Sequence, residues 1–225
     1  RRPPRSTLFP YTTLFRSGID SLAGPSEVLI IADSSADPAY VAADLLAQAE
    51  HDPLAAAILI TTDGELARGV AREVENQLDG HPRRFEAEKS IINFGSAIIV
   101  DTLEQAAELS NQFAPEHLEL EVTEPWDLVP LIRHAGAIFL GHSTPEAVGD
   151  YLAGPNHTLP TSGAARYASA LGVETFMKYS SLIQYSDRAL ADASQAIQAL
   201  ANAEGLVSHS ESVRLRSPGE PDSNQ

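Results

Sequence analysis

Four short, unbroken apolar runs, each set between helical patterns, constrain this chain more than any other feature. Glu27–Asp33 reads EVLIIAD, Ala57–Thr62 reads AILITT, Ser96–Asp101 reads SAIIVD and Ala137–Leu140 reads AIFL. Runs this short that are apolar on both faces of the pleat fit strands covered on both sides. Between the first two, Asp37-Pro38 offers an N-cap and a proline at the first helical position, opening an Ala/Leu-rich helix to about His51. Asp63-Gly64 turns into a helix over Glu65–Leu78, and Thr102 caps one reaching about Phe113. Residues 79–93 are polar and show no clear period. His117–Val122 reads as a short strand and Glu124–His134 as a helix. The alternation predicts an α/β fold with a mostly parallel sheet. Beyond Tyr151 the pattern changes. Ala153–Gly163 (AGPNHTLPTSG) is a polar loop, and Ser186–Leu200 and Glu204–Leu215 are two further helices that read as an appendage. Residues 217–225 have the composition of a disordered tail.

With 43% apolar residues among 225, the chain can bury a sizeable core despite 31 acidic residues against 15 basic and a net charge of −16. So acidic a surface repels polyanions and argues against nucleic acid as a partner. No stretch is long and apolar enough for a transmembrane helix. There is no cysteine, so any metal is held by His, Asp, Glu, Asn or Gln. Neither a signal peptide nor a disulfide framework is expected, which fits a cytoplasmic protein. Residues 1–17 (RRPPRSTLFPYTTLFRS) stand apart: they contain four arginines, no acid and a repeated Thr-Leu-Phe. They are expected to be a non-native, adapter-like leader. Without them, Gly18–Gln225 has 11 bases against 31 acids.

Several clusters could carry chemistry. Gln48 and His51, three apart near a helix C-terminus, share one face; a polar helix end with a capping His is the plainer reading. Glu116-His117 follows Phe113-Ala114-Pro115 at a strand entry. Neighbours in a strand point to opposite faces, so both can serve one site only at a turn or strand end. There, a carboxylate activates water and an imidazole moves protons near neutral pH; a solvated dipeptide would look the same. Asp150 precedes the loop bearing Asn156-His157 and suits either ligand binding or Asx turns. No GxGxxG, P-loop, HExxH or GxSxG pattern occurs.

Taken together, AGPSEVLIIAD (23–33), DLLAQAEHDP (44–53), FAPEHLEL (113–120), the long run GAIFLGHSTPEAVGDYLAGPNHTLPTSGAAR (136–166) and EGLVSHSESV (204–213) closely resemble histidinol dehydrogenase, from about Gly18 to Arg216. The resemblance implies NAD-dependent, four-electron oxidation of L-histidinol to L-histidine through histidinal, the last step of histidine biosynthesis, by a homodimer with one zinc per subunit. It implies an incomplete Rossmann-like α/β region at 18–170 and a C-terminal helical dimerisation arm at 171–216. Glu116 and His117 would be the catalytic pair. Gln48, His51, Asp150 and His209 would hold zinc, with His209 donated across the dimer interface. Ser26, Gln48, His51, His117, Asp150, His157, Glu204 and His209 would contact substrate. The family's cofactor contacts match nothing in this chain, so NAD is expected to be bound by residues outside it and the chain alone is expected to be inactive. Manganese or cobalt would suit the same ligands. Two other readings stay open: a zinc-dependent hydrolase or lyase without NAD, and a non-catalytic α/β module that binds a small ligand.

Overall fold

A computed structural model describes residues 24–217. The leader expected at 1–17, and all but the first residue of the tail expected at 217–225, lie outside the described residues. Five strands, β1 (Glu27–Ala32), β2 (Ala56–Thr61), β3 (Ser96–Ile99), β4 (His117–Glu121) and β5 (Ala137–Leu140), form one parallel sheet in the order β3-β2-β1-β4-β5. That is the strand order of a Rossmann-like doubly wound sheet, with the reversal between β1 and β4. Parallel neighbours require crossovers, and helices supply them. They are α1 (Pro38–Ala49), α2 (Gly64–Leu78), α3 (Arg84–Phe94), α4 (Leu103–Phe113) and the short α5 (Pro125–Leu128).

The pleat sorts β1 between two cores. Val28, Ile30 and Ala32 pack with α1 and α2 residues such as Val41, Leu45, Leu66 and Val70. Leu29 and Ile31 face the other way, onto Ala106, Leu118, Leu120 and Leu128. These five apolar β1 side chains are each at most 1% exposed. Each such aliphatic side chain contributes roughly 1.5–3 kcal/mol by leaving water. The caps expected at Asp37 and Thr102 form, accepting from the Ala39 and Gln105 amides, and Asp63 likewise caps its helix by accepting from Glu65.

Two local expectations need correction. Residues 84–94 form helix α3, tied down by Ser90 Oγ donating to the Ala55 carbonyl at 2.8 Å. The helix expected over Glu124–His134 is only α5 followed by a 3-10 turn at Val129–Leu131. Pro130 lacks the N–H that a longer helix would need. A further helix, α6 (Glu146–Tyr151), occupies a stretch with no clear helical signal.

The chain divides into two compact units, one through Met177 and the other from Lys178. The second holds α7 (Asp187–Ala203), whose first turn is capped by Ser186 Oγ, and α8 (Val207–Arg214). Gly205, at φ +73°, makes the bend between them.

Candidate active site

In β4, His117, Glu119 and Glu121 alternate with Leu118 and Leu120. Such alternation ordinarily marks a strand with one wet face. β4 lies between β1 and β5, however, and every one of its residues is buried. The polar face therefore meets polar groups from elsewhere: Asp44 and Gln48, one turn apart on α1, and Glu146 on α6. A polar seam runs under the sheet, and its amino-edge end is the candidate site.

Local backbone geometry puts Glu116 and His117 at that edge. α4 ends at Ala114 in the left-handed region, φ 58°, with its N–H on the Ser110 carbonyl at 2.7 Å. Pro115 then starts the extended chain. Gly136 packs so tightly against the Glu116 carbonyl that a Cβ would come within 2.5 Å of it. At this strand entry the two neighbours converge: Glu116 Oε2 lies 3.7 Å from His117 Nδ1.

His117 is 3% exposed, and its Nδ1 meets the Glu27 carbonyl oxygen at 3.0 Å. Donation there places the ring proton on Nδ1 and leaves Nε2 with a free lone pair. Nε2 has no hydrogen-bond partner among the described residues and lies 3.8 Å from Asp150 Oδ1. Burial lowers the proton affinity of the ring, which favours the neutral imidazole. Phe139 flanks it, ring centroids 6.0 Å apart.

Glu116 accepts from the Glu27 amide at 3.0 Å, and Glu27 accepts in return from the Glu116 amide at 3.3 Å and from Ser162 at 3.0 Å. Burial pushes the Glu116 carboxyl up to about 7, with the charges of Glu27 and Asp150 adding to it. Glu27 is also raised by burial. Glu146 is pushed up to about 9, first by burial and then by the charges of Asp150, Glu116 and Asp44. With its amide nitrogen turned toward Glu146, Gln48 donates to that carboxyl at 2.5–2.6 Å and accepts from the Glu27 amide at 3.1 Å.

Of the residues singled out from sequence, Glu116, His117, Gln48 and Asp150 come together at the amino edge. His51 is exposed just beyond α1. Ser26 is half-buried immediately before β1. His157 and Asp150 line one cavity of about 190 Å³, walled by Phe139 and Gly149. A larger cavity of about 460 Å³, under α2 and α3, is lined mainly by aliphatic residues together with Glu75, Glu88 and Ser96, and holds none of these groups. Glu204, at the end of α7, and His209, on α8, belong to the second unit. Sequence reading missed Glu27 and Glu146. The spacing of Glu146 and Asp150, four apart, would have revealed one helical face carrying two carboxylates.

The carboxylate, imidazole and amide oxygen donors at this edge form a set suited to a divalent transition metal. Among them, His117, Glu146 and Asp150 bring ligand atoms within 4.8 Å of one another. The site sits at the amino ends of the strands, whereas doubly wound sheets ordinarily bind ligands at the carboxyl ends.

A histidinol dehydrogenase family model matches residues 12–217, so the match begins inside the segment 1–17. The histidinol dehydrogenase of Synechococcus sp. is 72% identical over 199 residues, 88% of this chain and 46% of that protein. Histidinol dehydrogenase 2 of Trichormus variabilis is 70% identical over the same length and the same shares. The crystal structure of histidinol dehydrogenase from Elizabethkingia anophelis superposes with a TM-score of 0.81 at 40% identity, covering 86% of this chain and 45% of that one. The chain spans about half the length of the curated relatives it matches. With all of its described residues inside the match and the fold shared, the chain belongs to the histidinol dehydrogenase family.

Proposed function

We propose that this chain supplies the substrate- and metal-binding part of an NAD-dependent enzyme that oxidises L-histidinol to L-histidine through histidinal. The observation that carries the reading is the buried pair at the amino edge: a neutral His117 with a free Nε2, beside a Glu116 carboxyl whose proton affinity lies near neutrality. His117 Nε2 takes the proton from the substrate hydroxyl, and later from the hydrated aldehyde. Glu116, in its ionised form, takes the proton from the water that adds to the aldehyde. The Glu27 carbonyl holds the His117 ring in the tautomer this requires. Asp150, facing the free nitrogen, stabilises the imidazolium once it forms.

Gln48, His51 and Asp150 would hold zinc, completed by the partner subunit's His209 in a homodimer built through the region 171–216. Zinc would supply a fixed positive charge to anchor the substrate's imidazole and amine, and NAD would accept the hydride. Ser26, His157 and Glu204 complete the substrate contacts in this reading. The region 18–170 acts as the substrate and zinc domain. Among the described residues no helix is long and apolar enough to cross a membrane, and a cytoplasmic reaction belongs to the same proposal.

Thermal unfolding of the chain with zinc, with and without millimolar L-histidinol, tests it. A ligand that binds only the native state at a hundredfold excess over Kd stabilises by about 2.7 kcal/mol. The expected result is a zinc-dependent rise in Tm with histidinol that His51→Ala abolishes. A cooperative transition left unmoved by histidinol would overturn the assignment of the substrate site.

A further inference from the structure

The polar seam has a second end. Asp44, Glu119 and Glu121 bring carboxylate oxygens within 4.8 Å of one another toward the carboxyl edge of the sheet. Glu121 pairs in register with Ala32, at the end of β1, on the side where strand order reverses. Three carboxylates in one buried place repel one another and lose hydration, which is costly without a compensating cation. Among the described residues, no Lys or Arg forms an ion pair with any of them.

The hydrogen bonding here is incomplete in one direction. Glu119 uses one oxygen to accept from the Glu146 amide at 2.7 Å, and its carboxyl lies close to that of Asp44. Its other oxygen has no partner. Glu121 is 3% exposed, yet neither of its oxygens accepts a hydrogen bond. Buried polar groups are ordinarily paired, so a fully orphaned carboxylate aimed into a cluster calls for a ligand. An imidazole borders the cluster at Glu121. His142 Nδ1 is sheltered from solvent, without a hydrogen-bond partner, and lies 3.7 Å from Glu121 Oε2. Its other nitrogen is held at 3.1 Å by Ser35 Oγ, which itself bonds to Asp33. A second nitrogen anchored to a polar group that is itself anchored is the usual support of a metal-ligating histidine.

We propose that Asp44, Glu119, Glu121 and His142 form a second divalent-cation site, separate from the amino-edge site and at the opposite edge of the same sheet. Three carboxylates with one imidazole suit Mn²⁺ better than a thiophilic or all-oxygen-demanding ion. The cation offsets the crowded carboxylates of Asp44 and Glu119 and occupies the orphaned oxygens of Glu121. The half-exposed His142 and Asp44 leave it a way in from solvent.

The test is a titration of the chelator-stripped chain with MnCl2, following free Mn²⁺ by electron paramagnetic resonance. Binding of one Mn²⁺ per chain is expected to survive in the double variant His51→Ala/Asp150→Asn, which dismantles the amino-edge site. It is expected to weaken at least about tenfold in Glu121→Gln, which preserves shape, and in His142→Ala. His142 lies outside the hydrophobic core, so its variant keeps the test decisive if Glu121→Gln does not fold. Loss of all Mn²⁺ binding in the double variant would overturn the proposal. So would binding that is indifferent to both carboxyl-edge substitutions.

Discussion

In the proposed role, Glu116 trades stability for chemistry. Its carboxyl sits 7% exposed and is pushed up to about 7 from an ordinary value near 4.5. Because the folded value lies above the unfolded one, the folded state binds more protons between the two. Stability from this group is therefore present at acidic pH and lost as pH rises through about 7. At 1.36 kcal/mol per unit, holding the ionised form at pH 8 costs about 3 kcal/mol. Glu116→Gln removes the charge and keeps an oxygen for the Glu27 amide. Its Tm is expected to exceed that of the parent chain at pH 8 and to match it near pH 4.5, while turnover in the complete enzyme is lost. Equal Tm values at both pH values would contradict the buried, strained carboxylate. Gain of stability on removal of a group marks a residue kept for its reactivity.

At the level of elements, α6 shows how a short helix sets the site. It carries Glu146 and Asp150, and between them Gly149 lies against the Phe139 ring; a Cβ there would meet ring carbons at 2.6 and 2.8 Å. Either α6 moves away, taking Asp150 with it, or Phe139 shifts into His117. Gly149→Ala is thus expected to weaken zinc binding by about tenfold or more while leaving the Tm of the metal-free chain almost unchanged, because α6 adds little to either core. Isothermal titration with zinc, paired with a melt, separates the two effects. The same helix shows where sequence reading stops. β1, β2, α1 and α2 were legible because apolar runs, Asp caps and proline at the first turn all agree. α3 was not: it lacks a side-chain cap, and only Ala87 and Ser90 are buried. β4 was legible as a strand, but its alternation hid that its acidic face is buried, since burial there depends on β5 and on the Asp44 and Gln48 face of α1. Glu116, His117, Gln48 and Asp150 could be picked out from motifs. Glu27, Asp44, Glu119 and Glu146 surround them only through pairings 20 or more residues apart, which no local pattern encodes.

Across the whole molecule, the seam makes acidity a structural property as well as a surface one. Asp44 is raised to about 6, Glu116 and Glu121 to about 7, and Glu119 and Glu146 to about 9, each chiefly by burial. All five shifts share one sign. From about pH 4.5 to 9 the native chain binds more protons than the unfolded one, so stability falls continuously as pH rises. The chain's net charge of −16 pushes in the same direction through surface repulsion. Salt distinguishes the two. At about 1 M the Debye length shrinks to roughly 3 Å, which quenches repulsion between exposed carboxylates and leaves buried ones almost untouched. The Tm of metal-free chain is therefore expected to fall from pH 5 to 9 in 1 M NaCl nearly as steeply as in dilute buffer. A decline abolished by salt would assign it to the surface instead. Divalent cations should flatten the curve, because a cation at either end of the seam takes over the neutralising role of the protons. Zinc would do so through Asp150 and its neighbours at the amino edge, and Mn²⁺ through Glu121 and its neighbours at the carboxyl edge. The two ions together should then flatten it more than either alone, since the groups they engage are different.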